Sequence, residues 1–311
     1  MEKTVWAVGG GKGGTGKSFV SCSLGLALAS RGSDVLLMDV DLGAPNLHTL
    51  LGAGEFHPDL GDFLINKIPS LNDAARPTGF SGLKLIRGTD NILFVSNINH
   101  YKKLKILRQI KMLEAQRTIL DIGTGSSFNS LDFFISANPG ILVITPEPTA
   151  IENGYYFLKS CIMRILKLYM EHYKIQSLLQ KLMEQIEKNS HSLYGFFQNL
   201  VDSDKTYGHV LYRALKNFRP CLVVNKTRTE KDDILGQSIA DVVKRYLIID
   251  LHYLGAIPYD SRVHWSFQKM TPFFVEHPQS EAAQAIKGIA ERLLGWDSVP
   301  RPAAVDSSVE T

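Results

Sequence analysis

GKGGTGKS, residues 11–18, stands between an apolar segment, TVWAVG (4–9), and a helical stretch, 17–31. The spacing fits G-x-x-x-x-G-K-S, and a strand before it with a helix after it is the context that pattern requires. Gly11, Gly13, Gly14 and Gly16 let the backbone N–H groups of the loop, including those of Lys12 and Thr15, curl around phosphate oxygens. The helix N-terminus adds positive potential at the same place. Lys17 is expected to reach the β- and γ-phosphates and Ser18 to coordinate Mg²⁺.

Outward from this loop, short apolar runs alternate with longer helical stretches. The strand candidates are 4–9, DVLLMDV (34–40), ILFVSN (92–97), TILDI (118–122), GILVIT (140–145), CLVVN (221–225) and LHYLGAI (251–257). They are rich in Val, Ile and Leu and show little alternation, as strands covered on both faces do. Helical patterns fall at 17–31, 101–116, 151–174, 234–246 and 280–294. The alternation predicts an α/β fold, a doubly wound, mostly parallel sheet with helices on both faces. One domain is expected over 1–296. Residues 155–219 are too long for a simple crossover and read as a helical insertion, with 10 Lys/Arg against 5 Asp/Glu. Residues 297–311 are polar, carry two prolines and are expected to be disordered.

Composition narrows the function classes. The 311 residues carry 34 Lys+Arg against 31 Asp+Glu, a formal balance of +3. That is too small to imply nucleic acid by itself. Cys22, Cys161 and Cys221 stand far apart, offering neither a CxxC metal pair nor a disulfide framework, which points to a reducing cytoplasm. No run approaches the ~18 apolar residues of a spanning helix. The glycines begin too soon after the N-terminus for a signal peptide. Nine histidines lack ligand spacing.

Two further segments place carboxylates at strand ends, where open α/β sheets bind their ligands. DVDLGAPNL (39–47) carries Asp39 and Asp41, which either face the loop or cap the following turn. LDIGTG (120–125) is an apolar run ending in Asp121, the arrangement that holds Mg²⁺ directly or through water behind a phosphate loop. Gly123 and Gly125 give the segment after it freedom to move.

KGGTGKS (12–18) matches at every position the KGGxGK[ST] loop of the deviant Walker A ATPases of the MinD/ParA group, and the chain resembles that family over about 1–150 and 220–295. The resemblance implies a P-loop ATPase binding ATP and Mg²⁺. It implies a homodimer in the ATP state, in which Lys12 crosses the interface to touch the partner's nucleotide. It also implies that Asp41 positions the attacking water, that Asp39 contributes to Mg²⁺ alongside Ser18 and Asp121, that Asn225 of VVNKTR hydrogen-bonds adenine, and that Pro258 of AIPYD closes over the base. Catalytic roles thus fall to Lys12, Lys17 and Asp41. TPEPTAIEN (145–153) departs from the family: several relatives carry an acid where this chain has Asn153, which leaves the resting partner of Lys12 open. DVDLGAPNLHTLLG and ILDIGTGSSFNSLDFF look most like the MinD/FlhG branch.

Features of that branch are missing. The tail has one Arg and three acids, not a basic amphipathic membrane helix, and 281–294 has the apolar spacing of a core-facing stripe. Basic stretches at 101–117, with six Lys/Arg against one Glu, and at 154–174 offer membrane or DNA contact instead, or are solvated helix faces. The expected function is an ATP-driven dimerising switch that slowly hydrolyses ATP, works with a protein effector and regulates the placement or number of a cellular structure. The alternatives are a ParA-like DNA partition ATPase and a nucleotide-binding scaffold without turnover.

Overall fold

The structure, a computed structural model, describes residues 3–41, 44–89, 100–175 and 205–297. Eight strands form one sheet: β1 (Thr4–Gly9), β2 (Val35–Asp39), β3 (Arg76–Pro77), β4 (Leu83–Ile86), β5 (Arg117–Asp121), β6 (Gly140–Ile144), β7 (Cys221–Thr227) and β8 (His252–Pro258). Their order is β3-β4-β2-β5-β1-β6-β7-β8, and every pairing is parallel except β3 with β4. The doubly wound α/β architecture is therefore as the sequence predicts. Six of the seven strand candidates are present. The seventh, 92–97, lies outside the described residues, and the edge next to β2 is made instead by β4, an unpredicted run of four residues, and by the two-residue β3.

The helices follow from the same alternation. They are α1 (Lys17–Ala29), α2 (Leu47–Leu50), α3 (Leu60–Leu64), α4 (His100–Ile110), α5 (Phe128–Ser136), α6 (Pro148–His172), α7 (Lys205–Asn217), α8 (Glu230–Leu247), α9 (Arg262–Gln268), α10 (Phe273–Glu276) and α11 (Glu281–Asp297). Local chemistry sets several boundaries. Pro148 opens α6, where its missing N–H costs no helical bond. At α8, Thr229 and Asp232 form a reciprocal capping box.

Two apolar layers sandwich the sheet. One holds Phe63, Ile106, Phe133, Phe134 and Phe157, and the other holds Phe19, Leu24, Leu28, Phe273, Ile286 and Leu293. The stripe predicted on 281–294 faces this second layer, with Ala282, Ile286, Ile289 and Leu293 buried. Each large aliphatic side chain there contributes about 1.5–3 kcal/mol of burial. Long α6 and α7 are the described parts of the 155–219 segment. The predicted tail lies outside the described residues, except that α11 reaches Asp297. No helix among the described residues is long and apolar enough to cross a membrane.

The two basic stretches are only partly surface. Lys103 of α4 and Arg164 of α6 turn inward onto Asp132 of α5, and all three side chains are nearly buried. Arg164 grips the carboxylate with two bonds, at 2.6 and 3.0 Å. Lys105 donates to the Phe63 carbonyl and to Asn66 while lying over the Phe63 ring. Three of the ten cations in these runs, Lys103, Lys105 and Arg164, thus tie neighbouring elements together.

Candidate nucleotide-binding site

The loop after β1 sits among the carboxyl ends of the central strands, the crevice in which parallel sheets hold ligands. Two glycines are required by contact. A side chain at Gly11 would collide with the Asn153 carbonyl, and Gly16 combines a φ of 90° with the amide of Asn225 lying against its Cα. The loop therefore meets the backbone of α6 at Gly11 and a side chain of β7 at Gly16, and neither approach leaves room for a larger residue.

Parallel register places Asp39 of β2 directly beside Asp121 of β5, and Asp121 beside Val8 of β1. Asp39 is buried and accepts from the backbone N–H groups of Asp41 at 3.1 Å, Asn46 at 2.8 Å and Leu47 at 3.0 Å. It therefore folds the segment carrying Asp41 back over the strand end. Asp41 accepts from the Ala44 N–H at 3.2 Å, and its carboxylate lies against Gly123, where a side chain would strike it. Asp121 accepts from the hydroxyls of Ser18 and of Ser21, the latter at 2.8 Å.

Lys17 is buried and donates to the Lys12 carbonyl at 3.2 Å. Burial lowers its pKa, against the pull of Asp121 and Asp41. Burial raises Asp121 to about 6, with Ser18, Ser21 and Lys17 opposing and Asp41 adding to the rise. Burial and the neighbouring Asp121 push Asp39 well above the usual carboxylate range. Three carboxylates thus cluster, and two of them, Asp121 and Asp41, act on one buried ammonium. Their oxygens and the Ser18 hydroxyl are hard donors, and the unbalanced negative charge is what a divalent cation relieves. The residues present fit Mg²⁺.

The second lysine of the loop points elsewhere. Lys12 Nζ donates to the Glu147 carboxylate at 3.2 Å and to the Thr149 hydroxyl at 2.7 Å. Asn153, in the position where several relatives carry an acid, donates its amide to the Thr149 carbonyl at 2.6 Å. The partner open in the sequence is therefore Glu147 with Thr149, a turn before Asn153.

Asn225 is buried at the end of β7 and donates Nδ2 to the Thr15 carbonyl at 2.8 Å. Lys226 donates Nζ to the Gly14 carbonyl at 2.8 Å. Pro258 ends β8 and lines a groove with Tyr259, Arg262, Glu276 and His277. The Arg228 guanidinium lies over the Tyr259 ring at 4.1 Å. Lys17, Ser18, Asp39, Asp41 and Asp121 converge here and Asn225 meets the loop from β7, whereas the Lys12 side chain turns away to Glu147 and Thr149. Sequence reasoning missed Ser21, Thr149 and Lys226. Ser21 has a signal, a hydroxyl one helical turn after Lys17. Lys226 has none beyond following a strand-end asparagine.

A second carboxylate group, His57, Asp59 and Asp62, brings three potential ligand atoms within 4.8 Å of one another. It is already satisfied: Lys67 donates to Asp62 at 2.9 Å, His57 lies 2.7 Å from the same carboxylate, and Arg87 flanks Asp59. Asp59 and Asp62 also form the capping box of α3.

Comparison with known proteins agrees with this geometry. Pseudomonas aeruginosa antiactivator FleN is 27% identical over 301 residues, spanning 96% of this chain and 88% of that protein. An iron-sulfur cluster carrier protein of Saccharolobus solfataricus is 23% identical, covering 91% of this chain and 80% of its own length. The fold matches the septum site-determining protein MinD complexed with Mg-ADP from Pyrococcus horikoshii, with a TM-score of 0.65 at 22% identity over 96% of this chain and 98% of that one. The family model for the CobQ/CobB/MinD/ParA nucleotide binding domain matches residues 6–273. With a phosphate loop, a strand-end carboxylate pair and that match over most of its length, the chain belongs to the CobQ/CobB/MinD/ParA family of nucleotide-binding domains.

Proposed function

We propose that this chain is a slow ATPase switch. It binds ATP, dimerises face to face, hydrolyses ATP to ADP and phosphate, and separates again. The observation that carries the reading is the position of Lys12. Of the two loop lysines, Lys17 is turned inward beside Asp121 and Asp41, whereas the Lys12 ammonium rests on Glu147 and Thr149. A loop cation held off its own phosphate seat, by contacts that solvent weakens, is available to a second subunit. There it would act as an arginine finger does, adding positive charge where negative charge builds up.

In this scheme the N–H groups of the loop cradle the phosphates and Lys17 neutralises their outer oxygens. Asn225 and Pro258 border the base. Asp41 orients the attacking water by accepting its hydrogen bond. Ser18 and Asp121, supported by Asp39, would hold Mg²⁺, which supplies charge neutralisation on the phosphates. Catalysis is positioning plus electrostatics.

The output we infer is regulation of the placement or number of a cellular structure through a protein effector, in the cytoplasm. The names antiactivator and septum site-determining protein, borne by FleN and MinD, support this. Cluster carriage, which the iron-sulfur relatives suggest, needs accessible thiols. Cys22, Cys161 and Cys221 are each buried, and burial raises every one of the three pKa values. DNA partition draws on exposed cations, and two from the basic stretches, Lys103 and Arg164, are committed to Asp132.

The test is the solution mass of Asp41→Ala by light scattering, in ADP and then in Mg-ATP. A monomer that becomes a dimer only in ATP supports the switch. A mass indifferent to nucleotide favours a constitutive enzyme or scaffold.

A further inference from the structure

A phosphate loop has two sets of backbone groups to satisfy. Its N–H groups face the ligand, so its carbonyls face away and need donors of their own. Here three carbonyls are met by side chains: that of Lys12 by Lys17 at 3.2 Å, that of Thr15 by Asn225 at 2.8 Å, and that of Gly14 by Lys226 at 2.8 Å. The last two donors are neighbours in sequence, so one strand end grips two successive carbonyls of the loop.

The backbone is bent to achieve this. Lys226 has a φ of 62°, in the left-handed region that side chains other than glycine seldom occupy. Its N–H donates to the Asn225 Oδ1 at 3.0 Å, and the β7–β8 register shifts between Asn225 and Thr227. The conformation turns Lys226 out of the strand ladder, and its ammonium meets Gly14. Its neighbours Asn225 and Thr227 are buried while Lys226 is exposed.

We propose that Asn225 and Lys226 form a two-point strap that holds the phosphate loop in its nucleotide-binding shape, and that Lys226 is a positioning residue for nucleotide affinity. The proposal rests on the reading of this loop as a nucleotide site. The physical reason is entropic. A loop with six glycines among residues 9–16 would be costly to order, because glycine loses more backbone freedom than any other residue. A strap that fixes the loop beforehand removes that cost from binding. Lysine suits the task because its ammonium only donates: it can hold a carbonyl without competing for the loop's own N–H groups. Because the ammonium is exposed, its bond adds little to global stability, so the effect belongs to affinity.

The experiment is isothermal titration calorimetry of the full chain with Mg-ATP and with ADP, paired with thermal melts and steady-state hydrolysis. Lys226→Met keeps the side-chain length and removes the donor. It is expected to weaken both nucleotides by about fivefold to tenfold, with the melting temperature and the saturated turnover rate close to wild type. Lys226→Arg restores the donor and is expected to recover most of the loss. Lys226→Gly relieves the left-handed backbone, so it is expected to be at least as stable as wild type and still bind as weakly as the Met variant. Wild-type affinity in Lys226→Met, or failure of Arg to rescue it, overturns the strap while leaving the nucleotide site standing. A wild-type chain that binds neither Mg-ATP nor ADP overturns the strap together with the site.

Discussion

Lys12 and Glu147 meet at 3.2 Å across 135 residues of chain, joining the start of the phosphate loop to the residue that precedes α6. The contact is half exposed and shares the ammonium with Thr149. Such pairs contribute only about 0.2–1 kcal/mol, a latch that a second subunit can displace. Lys12→Ala is therefore expected to keep ATP binding and lose ATP-dependent dimerisation, with turnover falling alongside. Glu147→Gln, which loosens the latch and leaves Lys12 in place, is expected to shift dimerisation to an ATP concentration a few-fold lower. Sedimentation across an ATP titration checks both, and a dimeric, fully active Lys12→Ala protein would dispose of the in-trans role.

Lys17 occupies a different environment. It is enclosed by the loop, its ammonium faces Asp121 and Asp41, and burial already lowers its pKa. Lys17→Ala removes the cation nearest the carboxylates and is expected to weaken Mg-ATP by at least about a hundredfold, or about 2.8 kcal/mol. Calorimetry on protein shown to be folded by circular dichroism measures this. Normal affinity in that variant would contradict the assignment of the loop to phosphate.

Most of this site is legible in the chain because its physics is local. GKGGTGKS needs only its own glycines and the helix it opens, and Asp39 and Asp121 are set side by side by strand register alone. What is not legible depends on contacts between distant segments. Thr149 and Lys226 read as ordinary polar residues at helix and strand ends, Glu147 stands in the TPEPTAIEN segment without a partner assigned to it, and only tertiary approach turns the three toward the loop. Strand β4 escapes notice because four residues, LKLI, cannot show a period. The basic runs mislead for a related reason: a lysine that faces solvent and one that faces a buried aspartate look alike until the partner helix is in place.

Asp132 is that partner, and removing it leaves both Lys103 and Arg164 nearly buried without their shared anion. Breaking one member of a buried ionic group costs about 3–5 kcal/mol, because the charges left behind remain desolvated. Asp132→Ala is accordingly expected to lower stability by that order, seen as a large drop in the urea midpoint. Asp132→Asn, which keeps the shape, should lose somewhat less. An Ala variant within about 0.5 kcal/mol of wild type, the range of an ordinary surface change, would show these cations to be as solvated as the bare sequence suggests.

The raised carboxyl of Asp121 makes a prediction in pH. Its folded pKa is about 6 against an ordinary 3.8, so the folded chain binds this proton more tightly than the unfolded chain does. The stability linked to this group is fully present below about pH 4 and is lost as pH rises through 6. Asp39 shifts with the same sign, whereas Asp62, Asp250 and Asp260 titrate with the opposite one, so the quantity to follow is the difference between wild type and Asp121→Asn, without nucleotide or divalent cation. At pH 7.5 the Asn variant, which carries no charge to bury, is expected to be the more stable by on the order of 2 kcal/mol, and the gap should close toward pH 4. Mg²⁺ should narrow the gap at pH 7.5 by stabilising only the wild type, since the divalent cation relieves the charge that the substitution deletes. Melting curves at four or five pH values decide it: an Asn variant less stable at pH 7.5, or a gap that ignores pH, would mean that Asp121 carries its charge comfortably and that Lys17 alone balances it.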